Sequence, residues 1–321
     1  MRALLLYNPT ATTTNPRVRD TIAHRLSEAS DLEVAPTKQR DHASYLAAGA
    51  AHEGVDVVVA LGGDGTVNEA IQGLARTETA LAIIPGGSTN VWARSLGLPN
   101  DPAAATEQVV ALLERGQRRT VNLGTANGRY FCFSAGYGFD AATVREVERR
   151  HRLKHTVRQA SFLWGGLVAL LRRYDPRGTD ITVHTTAGEP LTGCKAAVCC
   201  NSRPYTFLGP WAADLCPGAD LDTDLDVTAL TQLSLPVLLR LARTALSGGD
   251  VAKLAGTHLW HDEAEVTLTS AEPLPVQVDG DYVGDETTVR LRSARRVLQV
   301  VAATPTSAAA GGQLGTDEPA A

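Results

Sequence analysis

The stretch VDVVVALGGDGTVNEAIQGLA, residues 55–75, decides the fold of the chain. Six of its first seven residues are apolar, the composition of a strand that is buried on both faces. Three glycines follow within four residues, and the apolar residues then recur at the three- and four-residue spacing of a helix. The stretch therefore predicts a strand–turn–helix unit of an α/β sheet, with the turn at the edge where such sheets bind ligands.

The glycine turn favours a phosphate as its ligand. Gly62, Gly63 and Gly65 allow the backbone to approach an anion closely, and the N-terminus of the following helix adds favourable partial charge. Asp64 is unusual in such a cradle, because its carboxylate repels phosphate unless it coordinates magnesium or handles a proton. The turn with its acid therefore indicates phosphoryl transfer.

A second glycine turn, PGGSTNVWARSLGLP at residues 85–99, follows the next strand and also leads into a helix. Its polar residues, Ser88 among them, can cap that helix or meet a phosphate or ribose. The Walker sequence GxxxxGK[ST] is absent, and the chain has only Lys38, Lys154, Lys195 and Lys253 against 26 arginines. The HRD and DFG sequences of protein kinases are absent too. A P-loop lysine mechanism and a protein-kinase mechanism are both excluded.

The pattern of elements divides the chain into two domains. Residues 1–120 alternate strand and helix patterns, which predicts an α/β domain with a mostly parallel sheet. Residues 121–303 read as short strands joined by turns rich in Gly, Pro and Asp, which predicts a mainly antiparallel β-sandwich. Helical inserts are predicted near 141–169 and 235–246, and residues 304–321 are predicted to be a disordered tail.

Composition narrows the class of protein. The net charge of −5 argues against nucleic-acid binding, which needs a basic surface. The five cysteines are odd in number and form no CxxC pair, so neither a disulfide framework nor a structural zinc site is indicated. No apolar run approaches the roughly 20 residues of a membrane-spanning helix, and the first residues lack the features of a secretory signal. We therefore expect a cytoplasmic location.

Four segments together resemble the catalytic domain of bacterial diacylglycerol kinase-like lipid kinases, which are related in fold to NAD kinases and phosphofructokinases. The segments are GGDGTVNEA (62–70), PGGSTNVWAR (85–94), FSAGYGFDA (133–141) and VQVDGD (276–281). They correspond to the family sequences GGDGTxNE, PxGTxNDFAR, GxGFDA and VDGE or VDGD, with Ser88 in a threonine position and Val91 in an aspartate position. The resemblance spans nearly the whole chain.

The resemblance implies an ATP-dependent lipid kinase that uses Mg²⁺. It implies that Asp281 is the general base that accepts the proton of the lipid hydroxyl, and that Asp64 positions magnesium. The residues that it implies for nucleotide binding are Asn8, Thr37, Gly62, Gly63, Asp64, Gly65, Thr66, Val67, Asn68, Glu69 and Ser88.

Two segments depart from the family sequences. The opening NPxSG appears as NPTAT at residues 8–12, which removes a glycine from the first phosphate contact. The segment PGADLDTDLD at 217–226 resembles PxAxLDDGxLD, which binds a structural magnesium in some relatives, but it is one residue shorter and has Asp224 in a glycine position. Asp222, Asp224 and Asp226 are candidate ligands of a hard cation, and a plain acidic turn is the alternative.

The sequence leaves several alternatives open for the lipid acceptor and for the binding partners. Diacylglycerol is the expected acceptor, but the residues do not separate it from sphingoid bases, ceramide, undecaprenol or a glycolipid. Residues 145–173 carry eight Lys or Arg and two acids, which is consistent with peripheral contact with an anionic membrane or with a solvated helix face. A homodimer is compatible with the predicted strand edges. The alternative functions are an NAD kinase-like enzyme and a non-catalytic, nucleotide-dependent lipid-binding regulator.

Overall fold

The computed structural model describes residues 1–9, 11, 15–151, 180–186 and 188–303, and the side chains of 149–151 are not described. Its first part is a parallel sheet in the order β4-β3-β1-β2 with helices packed around it. The strands are β1 (Arg2–Tyr7), β2 (Asp31–Pro36), β3 (Val57–Gly62) and β4 (Ala80–Pro85). The helices are α1 (Pro16–Ser27), α2 (His42–His52), α3 (Asp64–Leu74), α4 (Val91–Ser95) and α5 (Pro102–Glu114).

The burial of the parallel strands matches their positions in the sheet. Every residue of β3 and β4 is buried, as expected for strands that are covered by helices on both faces. Strand β2 lies at the edge and is largely exposed. Because parallel strands end at the same edge, the loops after β1, β2, β3 and β4 meet there, and these loops carry the two glycine turns.

The second part is mainly antiparallel. Its strands are β5 (Arg119–Ala126), β6 (Arg129–Phe131), β7 (Ser134–Gly138), β8 (Ile181–Thr185), β9 (Leu191–Cys194), β10 (Ala196–Cys200), β11 (Thr206–Leu208), β12 (Trp211–Ala213), β13 (Leu225–Leu230), β14 (Thr257–Glu263), β15 (Glu265–Val278) and β16 (Asp281–Val300). Among the described residues, two α-helices accompany them, α6 (Phe139–His151) and α7 (Leu235–Leu246). The prediction of an α/β domain followed by a mainly antiparallel β domain is confirmed.

Strand β16 connects the two parts. It pairs antiparallel with β15 and β5, and its last residue, Val300, pairs in parallel with Leu81 of β4. Leu298 and Val301 are buried in the same core cluster as β1, β3 and β4. The core of the first part therefore includes residues far beyond position 120. Strand β16 pairs with β15 at its first residue and with β4 at its last.

Several predicted elements differ from the observed ones. The strands of the β domain are not all short, because β15 runs over 14 residues, and its pairing with β16 shifts register between Thr269 and Leu274. The insert predicted at 141–169 begins with α6, and its remainder lies outside the described residues, as does the predicted tail at 304–321. In the described part of the chain, no helix combines the length and apolarity required to cross a bilayer.

Candidate active site

A polar pocket of about 310 Å³ lies at the carboxyl edge of the parallel sheet. The side of the pocket formed by β1, α3 and the start of β16 carries polar groups from Asn8, Thr66, Glu69 and Asp281. The loop after β2 adds Thr37 to Arg40, so cationic and anionic side chains face the same space. Such a mixture of charges is suited to a phosphorylated ligand and its metal ion.

The two glycine turns touch each other beside this pocket. A Cβ at Gly87 would lie 2.7 Å from the Cα of Gly63, too close for any side chain. A Cβ at Gly62 would meet the side chain of Thr66 at 2.6 Å. Glycine at these positions therefore lets the turn after β3 pack against the turn after β4 and brings both backbones to one edge.

Asp281 begins β16 and faces the turn after β3. A Cβ at Gly65 would lie 3.4 Å from Asp281 Oδ2, so the carboxylate lies directly beside the backbone of this turn. Burial raises the pKa of Asp281, and the positive charge of Arg40 opposes this effect. The side chain is partly exposed and lines the pocket. This placement satisfies the first requirement for the predicted base, access to a ligand at the phosphate turn.

Asp279, two residues earlier in the same turn, has the opposite environment. It is only 4% exposed, and its Oδ1 accepts hydrogen bonds from the backbone N–H groups of Phe133 and Ser134 at 2.9 and 3.0 Å. Its Oδ2 accepts from Cys132 N and from Asn68 Nδ2, both at 2.8 Å. Burial raises the pKa of Asp279, and these bonds offset part of the cost of the buried charge. Asp279 therefore holds the turn in place while Asp281 faces the pocket.

The side chains of Val67 and Asn68 do not line the pocket, and their contact with the nucleotide stays a prediction. They are 2% and 1% exposed. The amide of Asn68 donates to Asp279 and to Tyr130 O, and its oxygen accepts from Arg129 Nη2. Val67 and Asn68 are the fourth and fifth residues of α3, and helical geometry turns Val67 into the core of the parallel sheet and Asn68 toward the β domain. Asn68 thus ties α3 to the turn that carries Asp281.

A second set of bonds supports the same turn from the β domain. Gln277 accepts a hydrogen bond from Gly280 N at 2.8 Å and donates to Asp140 Oδ2 at 3.0 Å. The other oxygen of Asp140 accepts from the hydroxyl of Tyr205 at 2.6 Å. The FSAGYGFDA segment therefore positions the VDGD turn through Asp140, a link that neither segment reveals by itself.

Asp64 caps a helix. Its Oδ2 accepts from Val91 N at 3.1 Å and its Oδ1 from Trp92 N at 3.3 Å, so it binds the first backbone N–H groups of α4. Burial raises the pKa of Asp64 to about 6, although the two backbone bonds oppose this shift. Both oxygens are thus occupied by the turn after β4, and the role of Asp64 in positioning magnesium stays a prediction.

The remaining predicted residues fall into two groups. Asn8, Thr37, Thr66 and Glu69 line the pocket, and Glu69 also accepts a hydrogen bond from Ala43 N at the start of α2. The residues Gly62, Gly63 and Gly65 lie beside the pocket without lining it, and Ser88 lies in the turn after β4. Their roles as nucleotide contacts stay predictions that depend on backbone N–H groups.

The sequence-based reasoning missed three of the residues that line the pocket after β2. Lys38, Gln39 and Arg40 follow Thr37 directly and bring two cations to the site. The signal was present in the segment TKQRDHA, in which two basic residues follow the predicted nucleotide contact. These cations stand where a phosphate-binding site needs positive charge, although the chain has no P-loop lysine.

The acidic segment at 217–226 directs its carboxylates to different protein partners. Asp222 Oδ2 lies 2.7 Å from Arg119 Nη2, and Asp224 receives both Nε and Nη2 of Arg295. Asp226 Oδ1 lies 2.6 Å from His261 Nδ1. No cluster of three His, Cys, Asp or Glu side chains suited to a metal occurs among the described residues. The structure therefore does not bring Asp222, Asp224 and Asp226 together as ligands of one cation.

Asp226 differs from the other two acids of this segment. Its Oδ2 is buried and has no hydrogen-bond partner among the described residues. Burial raises the pKa of Asp226, whereas Arg295 lowers the pKa of Asp224. Ion pairs with Arg119, Arg295 and His261 therefore hold the segment, and one oxygen of Asp226 is left without a partner among the described residues.

Comparisons with known proteins agree with this arrangement. The profile of the diacylglycerol kinase catalytic domain matches residues 2–126, and the profile of the YegS C-terminal NAD kinase beta sandwich-like domain matches residues 134–302. A diacylglycerol kinase of Staphylococcus aureus (strain JH9) is 32% identical over 294 residues, 88% of this chain and 87% of the relative. This chain belongs to the diacylglycerol kinase family of lipid kinases.

Two further relatives extend the comparison. A diacylglycerol kinase of Mycobacterium tuberculosis (strain ATCC 25618 / H37Rv) is 33% identical over 245 residues, 74% of this chain and 72% of the relative. The crystal structure of a diacylglycerol kinase from Bacillus anthracis str. Sterne superposes with a TM-score of 0.70 at 19% identity, covering 94% of this chain and 97% of the other. The likeness to this crystal structure concerns the fold, and it extends over both parts of the chain.

Proposed function

We propose that this lipid kinase transfers the γ-phosphate of ATP to the hydroxyl of diacylglycerol, with Asp281 as the general base. The observation that carries the proposal is the position of Asp281, which lines the polar pocket and lies beside Gly65 of the phosphate turn. A base at this point can accept the proton of a hydroxyl that attacks a phosphate held by the turn. The names of the curated relatives favour diacylglycerol as the acceptor.

The cations of the pocket support a triphosphate as the donor. Lys38 and Arg40 line the pocket from the loop after β2. Charge-assisted hydrogen bonds from these side chains would hold the phosphate oxygens, while backbone N–H groups of Gly63 and Gly65 approach from the other side. The adenosine would extend toward Asn8 and Thr37. This arrangement leaves the terminal phosphate next to Asp281.

The donor groups of the pocket also fit magnesium. Glu69 and Asp281 supply carboxylates, and Thr66 supplies a hydroxyl, which are the oxygen ligands that Mg²⁺ prefers. Magnesium commonly uses one or two carboxylates together with substrate phosphates, so a complete protein cage is not needed. When bound, it would neutralise charge that develops on the transferred phosphate. We propose Glu69 and Asp281, rather than Asp64, as the residues nearest the metal, because Glu69 and Asp281 line the pocket and Asp64 caps α4 beside it.

The raised pKa of Asp281 fits its proposed task. A carboxylate that is partly withdrawn from water is a stronger base than an exposed one, and the positive charge of Arg40 favours its ionised form. Asp279 cannot exchange roles with Asp281, because protein donors already occupy both of its oxygens. The turn thus supplies one structural and one reactive carboxylate.

The lipid acceptor also implies a site of action at a membrane surface. The basic segment predicted to meet anionic lipid begins in α6, where Arg145 pairs with Asp285 at 3.1 Å. Arg152, Lys154, Arg158, Arg172 and Arg173 lie outside the described residues, and so do Phe162, Leu163 and Trp164. Contact of this segment with an anionic membrane, and assembly into a homodimer, stay predictions.

The test is phosphoryl transfer from ATP that is radiolabelled at the γ-phosphate. The purified protein is incubated with Mg²⁺ and with diacylglycerol, ceramide, a sphingoid base or undecaprenol in detergent micelles, and with NAD as a soluble acceptor. We expect label in the organic extract with diacylglycerol and none in NAD. Label in a different lipid would replace the proposed acceptor, and label in NAD alone would contradict the proposed function.

A further inference from the structure

Helix α7 has a packed inner face and an uncovered outer face. Leu238, Leu241 and Ala245 are buried against Phe139 of α6 and the neighbouring strands. At 100° per residue, the opposite side of the helix carries a different set of side chains. The outer set is Leu235, Pro236, Leu239, Arg240 and Arg243, and all five are exposed.

The outer face concentrates exposed apolar surface. Leu235 and Leu239 are 41% and 43% exposed and lie one turn apart on the same side of the helix. Trp211, which is 64% exposed, belongs to β12, whose Ala213 packs against the inner side of α7. Seven large apolar side chains are exposed among the described residues; two of them are on this helix face, and a third, Trp211, is on the strand that contacts α7. Such clustering marks an interaction surface rather than scattered surface residues.

The charges of this outer face are all positive. Helix α7 contains no Asp or Glu, and within the described part of the chain neither Arg240 nor Arg243 forms an ion pair or a side-chain hydrogen bond. The acids near its C-terminal end already have partners, because Asp214 pairs with Arg203 and Asp250 with Lys253. This local excess of positive charge stands in a chain whose net charge is −5.

The β11–β12 hairpin, which carries Trp211, is bound to the first part of the molecule. Trp211 follows the tip of the β11–β12 hairpin, and Gly209 O in that tip accepts a hydrogen bond from Arg94 Nη1 at 3.1 Å. Arg94 belongs to α4, which Asp64 caps, and its guanidinium stacks on Phe207 at 3.3 Å. Trp211 therefore lies two residues from a contact between the two parts of the molecule.

We propose that the outer face of α7, together with Trp211, docks on an anionic lipid bilayer. Leucines and a tryptophan would enter the interface while the arginines meet lipid phosphates, the arrangement of an interfacial amphipathic helix. A second copy of the chain fits this face poorly. In a two-fold contact the same patch meets itself, so the arginines of both copies would approach each other without any acid from α7 between them. The proposal rests on the proposed lipid substrate, which resides in such a bilayer.

The experiment measures sedimentation of the full chain with vesicles in the absence of ATP. The vesicles are phosphatidylcholine with or without about one third phosphatidylglycerol, and the variants are Leu235→Ser/Leu239→Ser and Arg240→Gln/Arg243→Gln. We expect the arginine variant to bind anionic vesicles about 30-fold more weakly, the effect of two charges near an anionic surface. The leucine variant should weaken binding to both kinds of vesicle. The matched controls, Val34→Ser and Arg17→Gln, change exposed residues on the opposite part of the chain and should bind as wild type.

Two readouts separate this proposal from the proposed function. Transfer of label to diacylglycerol in detergent micelles should be unchanged in both variants, because α7 lies outside the polar pocket. Vesicle binding that persists in both variants would overturn the docking proposal, whatever the kinase assay shows. Conversion of a dimer into a monomer with unchanged vesicle binding, seen by light scattering, would assign the face to a second copy. Normal vesicle binding without transfer to any lipid would instead contradict the proposed function.

Discussion

The VDGD turn at 278–281 and the acidic segment at 217–226 carry similar side chains and use them differently. In the acidic segment, Asp222 and Asp224 point at arginines that the chain supplies. In the turn, protein donors occupy Asp279, whereas Asp281 faces a pocket with Lys38 and Arg40 across it. A carboxylate becomes available for chemistry when the fold leaves it accessible and holds its neighbours still. Acidity alone does not identify such a residue.

The largest effect on stability is expected for Asp279→Asn. The new amide nitrogen would face either the N–H groups of Phe133 and Ser134 or those of Cys132 and Asn68, so buried donors would lose their acceptor. We expect the free energy of unfolding to fall by about 3 kcal/mol, typical of breaking a buried charged network. Urea denaturation measures it, with Asp222→Asn as the exposed control. Equal, small losses in both variants would remove the distinction between the two regions.

A smaller effect, on catalysis, is expected for Asn68→Ala. The change removes one donor to Asp279 and loosens α3 from the turn that carries Asp281. We expect kcat to fall about 10-fold, equivalent to roughly 1.4 kcal/mol, while the KM for ATP stays near that of wild type. A large rise in the KM for ATP with unchanged kcat would instead show that Asn68 contacts the nucleotide.

The pH profile tests the electrostatics of the turn. Asp281 must be ionised to accept a proton, so activity falls as the pH drops through its pKa. Burial already raises that pKa and Arg40 lowers it, so Arg40→Gln should move the acid limb of kcat/KM to higher pH. Lys38→Gln is the control, since it removes a pocket cation other than the one that lowers the pKa of Asp281. An acid limb that stays in place or moves to lower pH after Arg40→Gln would show that this base is not Asp281.

The smallest expected effect is that of a chelator on the acidic segment. Because Arg119, Arg295 and His261 already meet its carboxylates, EDTA should leave the Tm of the ligand-free protein unchanged. The chelator should abolish phosphoryl transfer, for which the proposed function uses Mg²⁺ with ATP. Differential scanning fluorimetry measures the Tm with and without EDTA. A clear fall of the Tm would show that a cation binds this segment, with the unpartnered Asp226 Oδ2 as its first candidate ligand.

The sequence predicts the parts of this molecule that depend on local pattern. Alternating strand and helix periods predict the parallel sheet, and the position of the glycine turns after β3 and β4 predicts the ligand edge. The return of β16 to pair with β4 is not readable, because it depends on a contact between Val300 and Leu81. Long-range pairing of this kind is decided by the packing of the whole core.

Within the site, some residues of the predicted motifs line the pocket, and others bind tertiary partners that the sequence does not reveal. Asp281, Glu69 and Thr66 line the pocket as expected. Asn68 lies in the same motif but points to Asp279, a partner 211 residues away. Asp224 likewise meets Arg295, 71 residues away, and no pattern in the acidic segment reveals that pair.

The most direct test of the account is a single-turnover assay of a matched pair, Asp281→Asn and Asp222→Asn, with γ-labelled ATP and diacylglycerol micelles. Each variant replaces one carboxylate by its amide, one in the turn and one in the acidic segment, and urea denaturation confirms that both are folded. We predict that Asp281→Asn lowers the transfer rate by at least about 10²-fold, the usual contribution of a general base. Asp222→Asn should transfer label at nearly the wild-type rate. A near-normal rate for Asp281→Asn, or a large loss for Asp222→Asn, would contradict the assignment of the base and the distinction between the two regions.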